Sequence, residues 1–287
     1  MKMKIAFIGI GDMGLEMVPH LVKGQHDVTI WDRNSENLAK IIDPEIKIAK
    51  SLAEAVENAE LVITSVMAVD VDDLHLGVEG NQGIIEHLKP GSTLVVTSTL
   101  NPEKIFAIRD ALPAEVNLLD VPVIGGVKYA REAKLTLLAG GDRDVVERFT
   151  PVLNLFGTTK YVGKLGDGAK LKLITNVSIM AAEAGLRETL DLADQYEIDY
   201  GLVLELIQMG PLKPVIVRAL DETNPRPLEK SVDDMDELLA ATEPLIDLPM
   251  VEAARTRLRK AVDDAGGTAK FIDITNKVTA LPRFKNR

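Results

Sequence analysis

The chain has 287 residues, enough for two domains of ordinary size. Hydrophobic residues make up 46% and charged residues 27%, as in a folded globular protein. The net charge of -11 and a pI near 5.0 disfavour nucleic acid or an anionic membrane surface as a partner. Cysteine is absent, which excludes disulfides, thiol catalysis and cysteine–zinc sites. The four histidines are scattered along the chain, which disfavours a histidine-rich metal site. We therefore expect no metal site.

The segment MKIAFIGIGDMG near the amino terminus predicts a strand and not a secretory signal. Its apolar run is short, and no small-residue cleavage site follows it. No apolar stretch approaches the roughly 20 residues that a membrane-spanning helix needs. We expect a soluble, cytoplasmic protein without a membrane partner.

The first 160 residues alternate short apolar runs with amphipathic stretches. The predicted strands are 4–9, 27–32, 61–66, 93–98, 116–123, 135–140 and 159–163, and the predicted helices lie near 12–23, 35–42, 51–58, 102–111 and 142–155. Several strands are apolar almost throughout, as expected where helices cover both faces of a sheet. The alternation predicts an α/β fold with a doubly wound, Rossmann-type parallel sheet.

The sequence pattern changes after Gly168, where short strand-like runs give way to helix-like stretches. A stretch from Ala169 to Tyr196 contains one glycine and no proline, and it predicts a single helix of roughly 25 to 30 residues. The remaining segments also favour helices, and none has a convincing strand pattern. We predict a dinucleotide-binding domain over 1–163 and an all-α domain for substrate binding and dimerisation over 164–287. The tail from Phe271 onward is either an ordered arm or a frayed end.

A glycine pattern joins the first strand to the first helix, in the form Gly9-x-Gly11-x-x-Gly14. Gly9 permits a tight turn, Gly11 lets the backbone approach a diphosphate, and Gly14 allows close packing of helix on strand. The N–H groups of the helix terminus would then hold the diphosphate. The predicted cofactor-binding residues here are Gly9, Ile10, Gly11, Asp12, Met13 and Gly14.

An acidic residue, Asp32, follows the second strand and lies 18 residues after Gly14. A carboxylate there accepts hydrogen bonds from both ribose hydroxyls and repels a 2′-phosphate, which favours NAD. The neighbouring Arg33 is able to attract that phosphate, so NADP stays open. Asp32 is otherwise an ordinary surface turn residue.

Four segments in this order identify a resemblance to the β-hydroxyacid dehydrogenases, a family that includes 3-hydroxyisobutyrate dehydrogenase. They are IAFIGIGDMG, TSTLNP at 97–102, DVPVIGGVKYAREAKLTLLAGG at 120–141 and GDGAKLKLITN at 166–176. Together they are far more specific than any one of them, and the resemblance covers roughly residues 3 to 260.

The resemblance implies a nicotinamide-dependent hydride transfer and assigns further site residues. It places Val66, Met67, Ser98 and Thr99 against the cofactor. It implies that the backbone around Ile124, Gly125 and Gly126 binds a substrate carboxylate. It also implies that Lys172 is the catalytic residue and that Asn176 binds the substrate.

A lysine suits this chemistry because negative charge builds on the substrate oxygen as hydride arrives. An ammonium group neutralises that charge and donates a proton. Lys172 and Asn176 are four residues apart and share a helix face, whereas Lys170 lies about 200° away from Lys172. The alternative is that Lys172 is a solvated surface lysine.

Two departures from the family pattern bear on the choice of substrate. Ile124 stands where the family has a serine, so a hydroxyl is lost. Asp234 or Met235, depending on register, stands where the family has a lysine. The acidic run from Asp233 to Glu237 alternatively marks a helix N-terminus, with Ser231 as its cap.

We predict an oxidoreductase that moves a hydride between a nicotinamide cofactor, NAD or else NADP, and a small hydroxy acid or its aldehyde or keto form. The alternatives are an imine-type reductase of the same architecture and a non-catalytic NAD(P)-binding sensor. The imine reductases usually lack the lysine, so Lys172 favours the first. The apolar long helix also predicts a homodimer.

Overall fold

A computed structural model describes residues 2–78, 81–224 and 226–282. The chain forms two compact units, Met1–Leu173 and Ile174–Arg287, called here the first and second units. The sequence predicted a boundary between residues 163 and 164, and the two units divide ten residues later, inside a helix.

The first unit is built on a sheet whose strand order follows from alternating strands and helices. The strands are β1 Lys4–Ile8, β2 Asp27–Trp31, β3 Lys47–Ile48, β4 Leu61–Thr64, β5 Gly77–Val78, β6 Asn81–Gln82, β7 Thr93–Val96, β8 Asn117–Asp120, β9 Val123–Ile124, β10 Leu135–Gly140 and β11 Gly157–Gly163. The sheet runs β11-β10-β8-β7-β4-β1-β2-β3, β9 pairs with β10, and β5 and β6 form a separate antiparallel pair. From β3 to β8 all neighbours are parallel.

Helices cover both faces of this sheet. They are α1 Asp12–Lys23, α2 Ser35–Leu38, α3 Leu52–Val56, α4 Val71–Leu76, α5 Pro102–Ala111, α6 Val127–Arg131 and α7 Arg143–Leu153. Strand β1 is buried on both sides: Ile5 and Phe7 belong to one apolar cluster, and Ala6 and Ile8 to the other. This burial explains its continuous apolar run. The predicted fold class is confirmed.

Two predicted elements of the first unit differ in the structure. The strand predicted over 116–123 is interrupted at residues 121–122, because Pro122 has no N–H to donate to a ladder, and it continues in the same direction as β9. The second piece, β9, is antiparallel to β10, and β10 is antiparallel to β8. The helix predicted over 35–42 ends at Leu38, where Ile42 finds no apolar surface and stays exposed.

The second unit is helical. Helix α8, Asp167–Gln195, enters it from the first unit and has the predicted length. The remaining helices are α9 Tyr200–Gln208, α10 Lys213–Ala219, α11 Glu229–Thr242 and α12 Pro249–Asp264. Within the described part of this unit, strand pairing is limited to one isolated bridge between Pro227 and Lys270.

The carboxyl-terminal segment is an ordered arm up to residue 282, which decides between the two sequence interpretations. Its 3₁₀ turns, Phe271–Thr275 and Lys277–Thr279, are held by the fully buried Arg187 of α8. The Nη1 of Arg187 donates to the carbonyl oxygens of Ile274 and Asn276 at 3.0 and 2.7 Å. A buried cation is stable only with such partners.

None of the helices in the described ranges combines the length and the hydrophobicity that crossing a bilayer requires.

Candidate active site

The glycine turn between β1 and α1 has a separate physical reason for each glycine. Gly9 has φ of +95°, and a Cβ there would lie 2.3 Å from the carbonyl oxygen of Ser65. A Cβ on Gly14 would lie 2.1 Å from the carbonyl oxygen of Gly9. A Cβ on Gly11 would meet nothing within 4 Å, so this glycine faces open space. The first and third glycines are required by the fold, and the second leaves the helix terminus open to a ligand.

The amino terminus of α1 suits a diphosphate. Gly11 is the N-cap residue, and no side chain caps the helix. Ile10, Asp12 and Met13 complete the turn around it, with Asp12 and Met13 half-buried. Unhindered N–H groups at a helix N-terminus bind anions through hydrogen bonds and the helix dipole. The residues present therefore fit a dinucleotide.

Asp32 connects the end of β2 to this turn. Its Oδ2 accepts a hydrogen bond from the backbone N–H of Ile10 at 2.6 Å, and its Oδ1 accepts one from Asn34 at 2.7 Å. These bonds hold the carboxylate beside the glycine turn, where the sequence predicted the adenosine ribose. The next residue, Arg33, forms an ion pair with Asp70 at 2.7 Å.

The loop after β4 is tied to the loop after β7 by Ser98. The Ser98 hydroxyl donates to the carbonyl oxygen of Val66 at 2.7 Å and accepts from its N–H at 3.3 Å. Val66, Met67 and Thr99 are all half-buried. Lys104 of α5 holds the same loop further on, donating to the carbonyl oxygen of Ala68 at 3.1 Å. The two predicted cofactor-facing segments thus form one hydrogen-bonded unit.

A buried histidine, His75, supports this loop from α4. Its Nδ1 bonds to the carbonyl oxygen of Val71 at 2.7 Å, which accepts, so Nδ1 carries the proton. Nε2 then accepts from the Thr64 hydroxyl at 3.1 Å, at the end of β4. Burial lowers the pKa of His75 to about 4. The imidazole is therefore neutral and serves as a fixed hydrogen-bonding link.

Asp120, at the end of β8, anchors the beginning of α8. Its Oδ1 accepts from the N–H of Gly166 at 3.0 Å and its Oδ2 from that of Ala169 at 2.8 Å. A Cβ on Gly140 or Gly168 would lie 2.4 or 2.7 Å from these carboxylate oxygens. Burial raises the pKa of Asp120 to about 6, although both backbone N–H bonds act in the opposite direction. A Cβ on Gly168 would lie still closer, 2.5 Å, to the carbonyl oxygen of Leu138, so glycine at the start of α8 is explained by the close approach of β8 and β10 together.

Lys172 lies one turn after Ala169 on α8 and is half-buried. Its position in the first unit follows from the anchored first turn of that helix. Asn176 is one turn further along the helix, beyond the division between the units, and is buried. Lys170 is exposed and pairs with Asp167 at 3.2 Å. The two lysines therefore have different surroundings, as helical periodicity predicts.

The predicted carboxylate-binding loop begins where β9 ends. Ile124 pairs with Thr136 of β10 and is half-buried. Gly125 and Gly126 follow with φ of +142° and +82°, and Gly126 is the N-cap of the short helix α6. Tyr129 packs on Gly125, and a Cβ added to Gly125 would lie 2.7 Å from the Cβ of Tyr129. The glycine pair thus adopts a backbone that side-chain-bearing residues rarely take.

Comparison with known proteins identifies the family. Residues 4–166 match the NAD binding domain of 6-phosphogluconate dehydrogenase. The probable 3-hydroxyisobutyrate dehydrogenase-like 2, mitochondrial, of Arabidopsis thaliana is 31% identical over 225 residues, which is 77% of this chain and 74% of that protein. This chain belongs to the β-hydroxyacid dehydrogenase family.

Two further similarities extend along nearly the whole β-hydroxyacid dehydrogenase chain. Glyoxylate/succinic semialdehyde reductase 1 of Arabidopsis thaliana is 26% identical over 269 residues, covering 90% of this chain and 92% of that protein. The solved structure of 3-hydroxyisobutyrate dehydrogenase from Mycobacterium tuberculosis has a TM-score of 0.79 at 21% identity, covering 96% and 98% of the two chains. The predicted family, oxidoreductase class and nicotinamide cofactor are confirmed.

The alternative interpretation of the acidic run, as a helix N-terminus capped by Ser231, is wrong. Helix α11 begins at Glu229, and Ser231 is buried inside it. Asp234 pairs with Arg226 at 2.6 Å, and Met235 is fully buried. Arg259 pairs with Asp233 and Asp236 as well, so arginines balance three carboxylates of the acidic run, which lies inside the helix.

Three residues that support this candidate site were missed from the sequence. They are Asp120, His75 and Lys104. Asp120 lay inside a quoted motif, but its partners are 46 and 49 residues away along the chain. A signal existed in the Gly-x-Gly spacing before Lys172, which indicates that something packs against that helix start. Across the described residues, no three histidine, aspartate or glutamate side chains cluster as metal ligands.

Proposed function

We propose that this β-hydroxyacid dehydrogenase transfers a hydride between NAD(H) and a small hydroxy acid or its aldehyde or keto form, with Lys172 as the proton donor and acceptor. The first unit binds the cofactor, and the second serves substrate binding and dimerisation. The observation that carries the proposal is the Asp120 anchor, because it fixes the start of α8 one turn before Lys172. An incidental surface lysine has no need of a helix start built in this way.

The cofactor would be held by the glycine turn and by the end of β2. The N–H groups at the start of α1 would bind the diphosphate, and Asp32 would accept the ribose hydroxyls. Val66, Met67 and Thr99 would line the nicotinamide end. When bound, the nicotinamide supplies or accepts the hydride.

Lys172 handles the proton of the reaction. In the reducing direction the substrate carbonyl oxygen becomes negative, and the ammonium group of Lys172 stabilises that charge and donates a proton to form the hydroxyl. In the oxidising direction the neutral amine accepts the hydroxyl proton. Asn176, one helical turn away, would hydrogen-bond to the substrate.

The backbone around Gly125 and Gly126 would bind the substrate carboxylate. Glycine has no Cβ at either position, so a carboxylate would be able to approach the backbone N–H groups closely. Ile124 adds an apolar wall where the family has a hydroxyl, which favours a substrate with an apolar or very small group at that point. The names of the relatives suggest the panel for testing: 3-hydroxyisobutyrate, glyoxylate and succinic semialdehyde.

The test compares Lys172→Ala with Lys170→Ala, a control two residues away on the same helix. We expect Lys172→Ala to lower kcat by roughly 10²-fold or more. NADH affinity should stay within about twofold, because Lys172 acts on the substrate oxygen. Lys170→Ala should keep the parent rate, since its amino group pairs with Asp167.

Three results would contradict the proposal. Parent-like turnover by Lys172→Ala would remove this residue from the mechanism. Tight NADH binding without turnover of any aldehyde or keto acid would favour the sensor. Turnover of imines alone would favour the imine-type reductase.

We also propose that the protein is a homodimer formed through α9. Leu202 and Leu206 of α9 and Met209, the C-cap residue of that helix, are spaced by four and three residues, so they lie on one side of it. Their exposed fractions are 50%, 57% and 74%. Apolar surface of this kind is typical of a subunit interface. The cytoplasmic location stays a prediction.

A further inference from the structure

An ion pair joins the two loops that flank the proposed adenosine ribose site. The Nη2 of Arg33 lies 2.7 Å from the Oδ1 of Asp70. Arg33 follows directly after Asp32, whose carboxylate is hydrogen-bonded to the glycine turn. Asp70 ends the 3₁₀ turn Ala68–Asp70, which begins right after Met67. Neither the glycine motif nor the family resemblance assigned Asp70 any role.

The two partners differ in how far they reach solvent. The Arg33 side chain is 67% exposed, so a ligand in the site has access to its guanidinium group. The Asp70 side chain is only 23% exposed, and its backbone N–H donates to the carbonyl oxygen of Met67 at 3.0 Å. Asp70 is therefore the fixed member of the pair and Arg33 the adaptable one.

The charges at this point sum to one negative charge. Asp32 and Asp70 contribute two carboxylates, and Arg33 contributes one cation. NADP differs from NAD by a 2′-phosphate on the adenosine ribose, which is close to a dianion at neutral pH. Arg33 is the natural partner for that phosphate, because guanidinium groups bind phosphate oxygens in pairs. Asp70 competes for the same guanidinium N–H groups and adds its own repulsion.

We propose that Asp70 is a specificity-determining residue that disfavours NADP by occupying Arg33. This inference rests on the proposed function, since it assumes that a dinucleotide binds in the first unit. Asp32 repels the 2′-phosphate directly. Asp70 acts through Arg33, the one cation among these three residues, and keeps its guanidinium group from binding the 2′-phosphate.

The experiment measures the dissociation constants of NADH and NADPH by fluorescence titration for the parent, Asp70→Asn, Arg33→Ala and the double variant. In Asp70→Asn the ratio of Kd for NADPH to Kd for NADH should fall roughly three- to fivefold, the upper part of the range for an exposed ion pair. In the Arg33→Ala background the same change should lower the ratio by no more than about twofold, because no cation is left to release. Raising the salt concentration should shrink the effect.

Asp73→Asn is the matched control. It removes the same charge three residues along the chain, and Asp73 forms no ion pair within the described ranges. An unchanged ratio in Asp73→Asn, with a fall in Asp70→Asn that needs Arg33, supports the inference. An equal fall in both variants, or an equal fall with and without Arg33, would overturn it, and so would an unaltered ratio in Asp70→Asn. If the parent binds neither nucleotide, the proposed function fails and this inference with it.

Discussion

At the residue scale, the geometry of the site depends most on the buried carboxyl group of Asp120. Both of its oxygens accept N–H groups from the start of α8, and none of its surface reaches solvent. An unpaired buried acceptor or donor costs about 1–3 kcal/mol, so the bonds and the burial depend on each other. The same burial raises the pKa of Asp120 to about 6, from an ordinary value of 3.8. The contribution of this carboxyl group to the free energy of unfolding therefore depends on pH.

Asp120→Asn should destabilise the protein, and the loss should depend on pH. The folded state holds the proton of Asp120 more tightly than the unfolded state, so this group stabilises fully below its unfolded pKa and less as pH rises through about 6. Between pH 4.5 and 7.5 the parent should lose about 2 kcal/mol through this group. Asparagine does not titrate. The difference between the unfolding free energies of parent and variant should therefore narrow by about that amount as the pH rises over this range.

Urea unfolding of both proteins at several pH values checks this. Comparison with the variant removes the contribution of His75, whose lowered pKa acts in the opposite direction. Its stabilisation is present above about 6.5 and is lost as pH falls toward 4. If the parent and variant curves run parallel across the range, Asp120 does not titrate as described.

At the element scale, the glycine turn separates residues required by the fold from one available for binding. A Cβ at Gly14 would strike the backbone of Gly9 at 2.1 Å, whereas one at Gly11 would point into open space. Gly11 has φ of -74°, which alanine adopts readily. The two positions thus offer a clean comparison between folding and binding.

Gly11→Ala should unfold at the same temperature as the parent, within about 2 °C, and bind NADH at least roughly tenfold more weakly. The added methyl group would occupy the space proposed for the diphosphate. Gly14→Ala should instead lower Tm by several degrees, because α1 must move away from the turn. Calorimetry and NADH titration provide both readings. Undiminished NADH affinity in Gly11→Ala would argue against a diphosphate at this turn.

Local motifs were predictable from the sequence where the physical cause is itself local. The glycine turn and helix α1 depend on residues within one short segment, and their prediction is confirmed. The beginning of α11 was placed too late, since the buried stripe of Leu228, Val232 and Met235 extends the helix toward its amino terminus. Ser231 therefore lies inside a helix that its neighbours stabilise through packing.

Asp120 shows why contacts between distant segments could not be predicted from the sequence. Its partners are fixed only when β8 and the start of α8 come together in the folded sheet. A sequence pattern marks the glycines that allow this approach but does not name the group that approaches. The pairing of Arg33 with Asp70 has the same character, because it joins the loops after β2 and β4.

At the scale of the whole molecule, the alternation of strands and helices carried the fold prediction, because each βα unit is local in sequence. The antiparallel direction of β10 was not predicted, since it depends on how residues 125–134, which include α6, turn the chain back between β9 and β10. The second unit was correctly predicted as helical from the scarcity of glycine and proline in α8. The proposed dimer rests on what that unit leaves exposed.

Leu206→Glu combined with Met209→Glu should convert a dimer into a monomer. A charge on each of two apolar interface positions must be desolvated without a partner, which typically costs several kcal/mol. Leu245→Glu is the control, because Leu245 is 78% exposed and lies outside α9 and α10. Light scattering at micromolar concentration reads the mass. A monomeric parent, or a dimer that survives both charges, would contradict an interface on α9.

The most direct test of the account is chemical rescue of Lys172→Ala. Hydride transfer is followed in a single turnover by NADH absorbance, with and without added methylamine, on the substrate that the parent turns over fastest. The protonated form of the added amine can replace the missing ammonium group as proton donor, so the rate should rise in proportion to its concentration. A rate that does not respond to amine, or a rise of the same size in Lys170→Ala, would contradict the role of Lys172 as the proton donor.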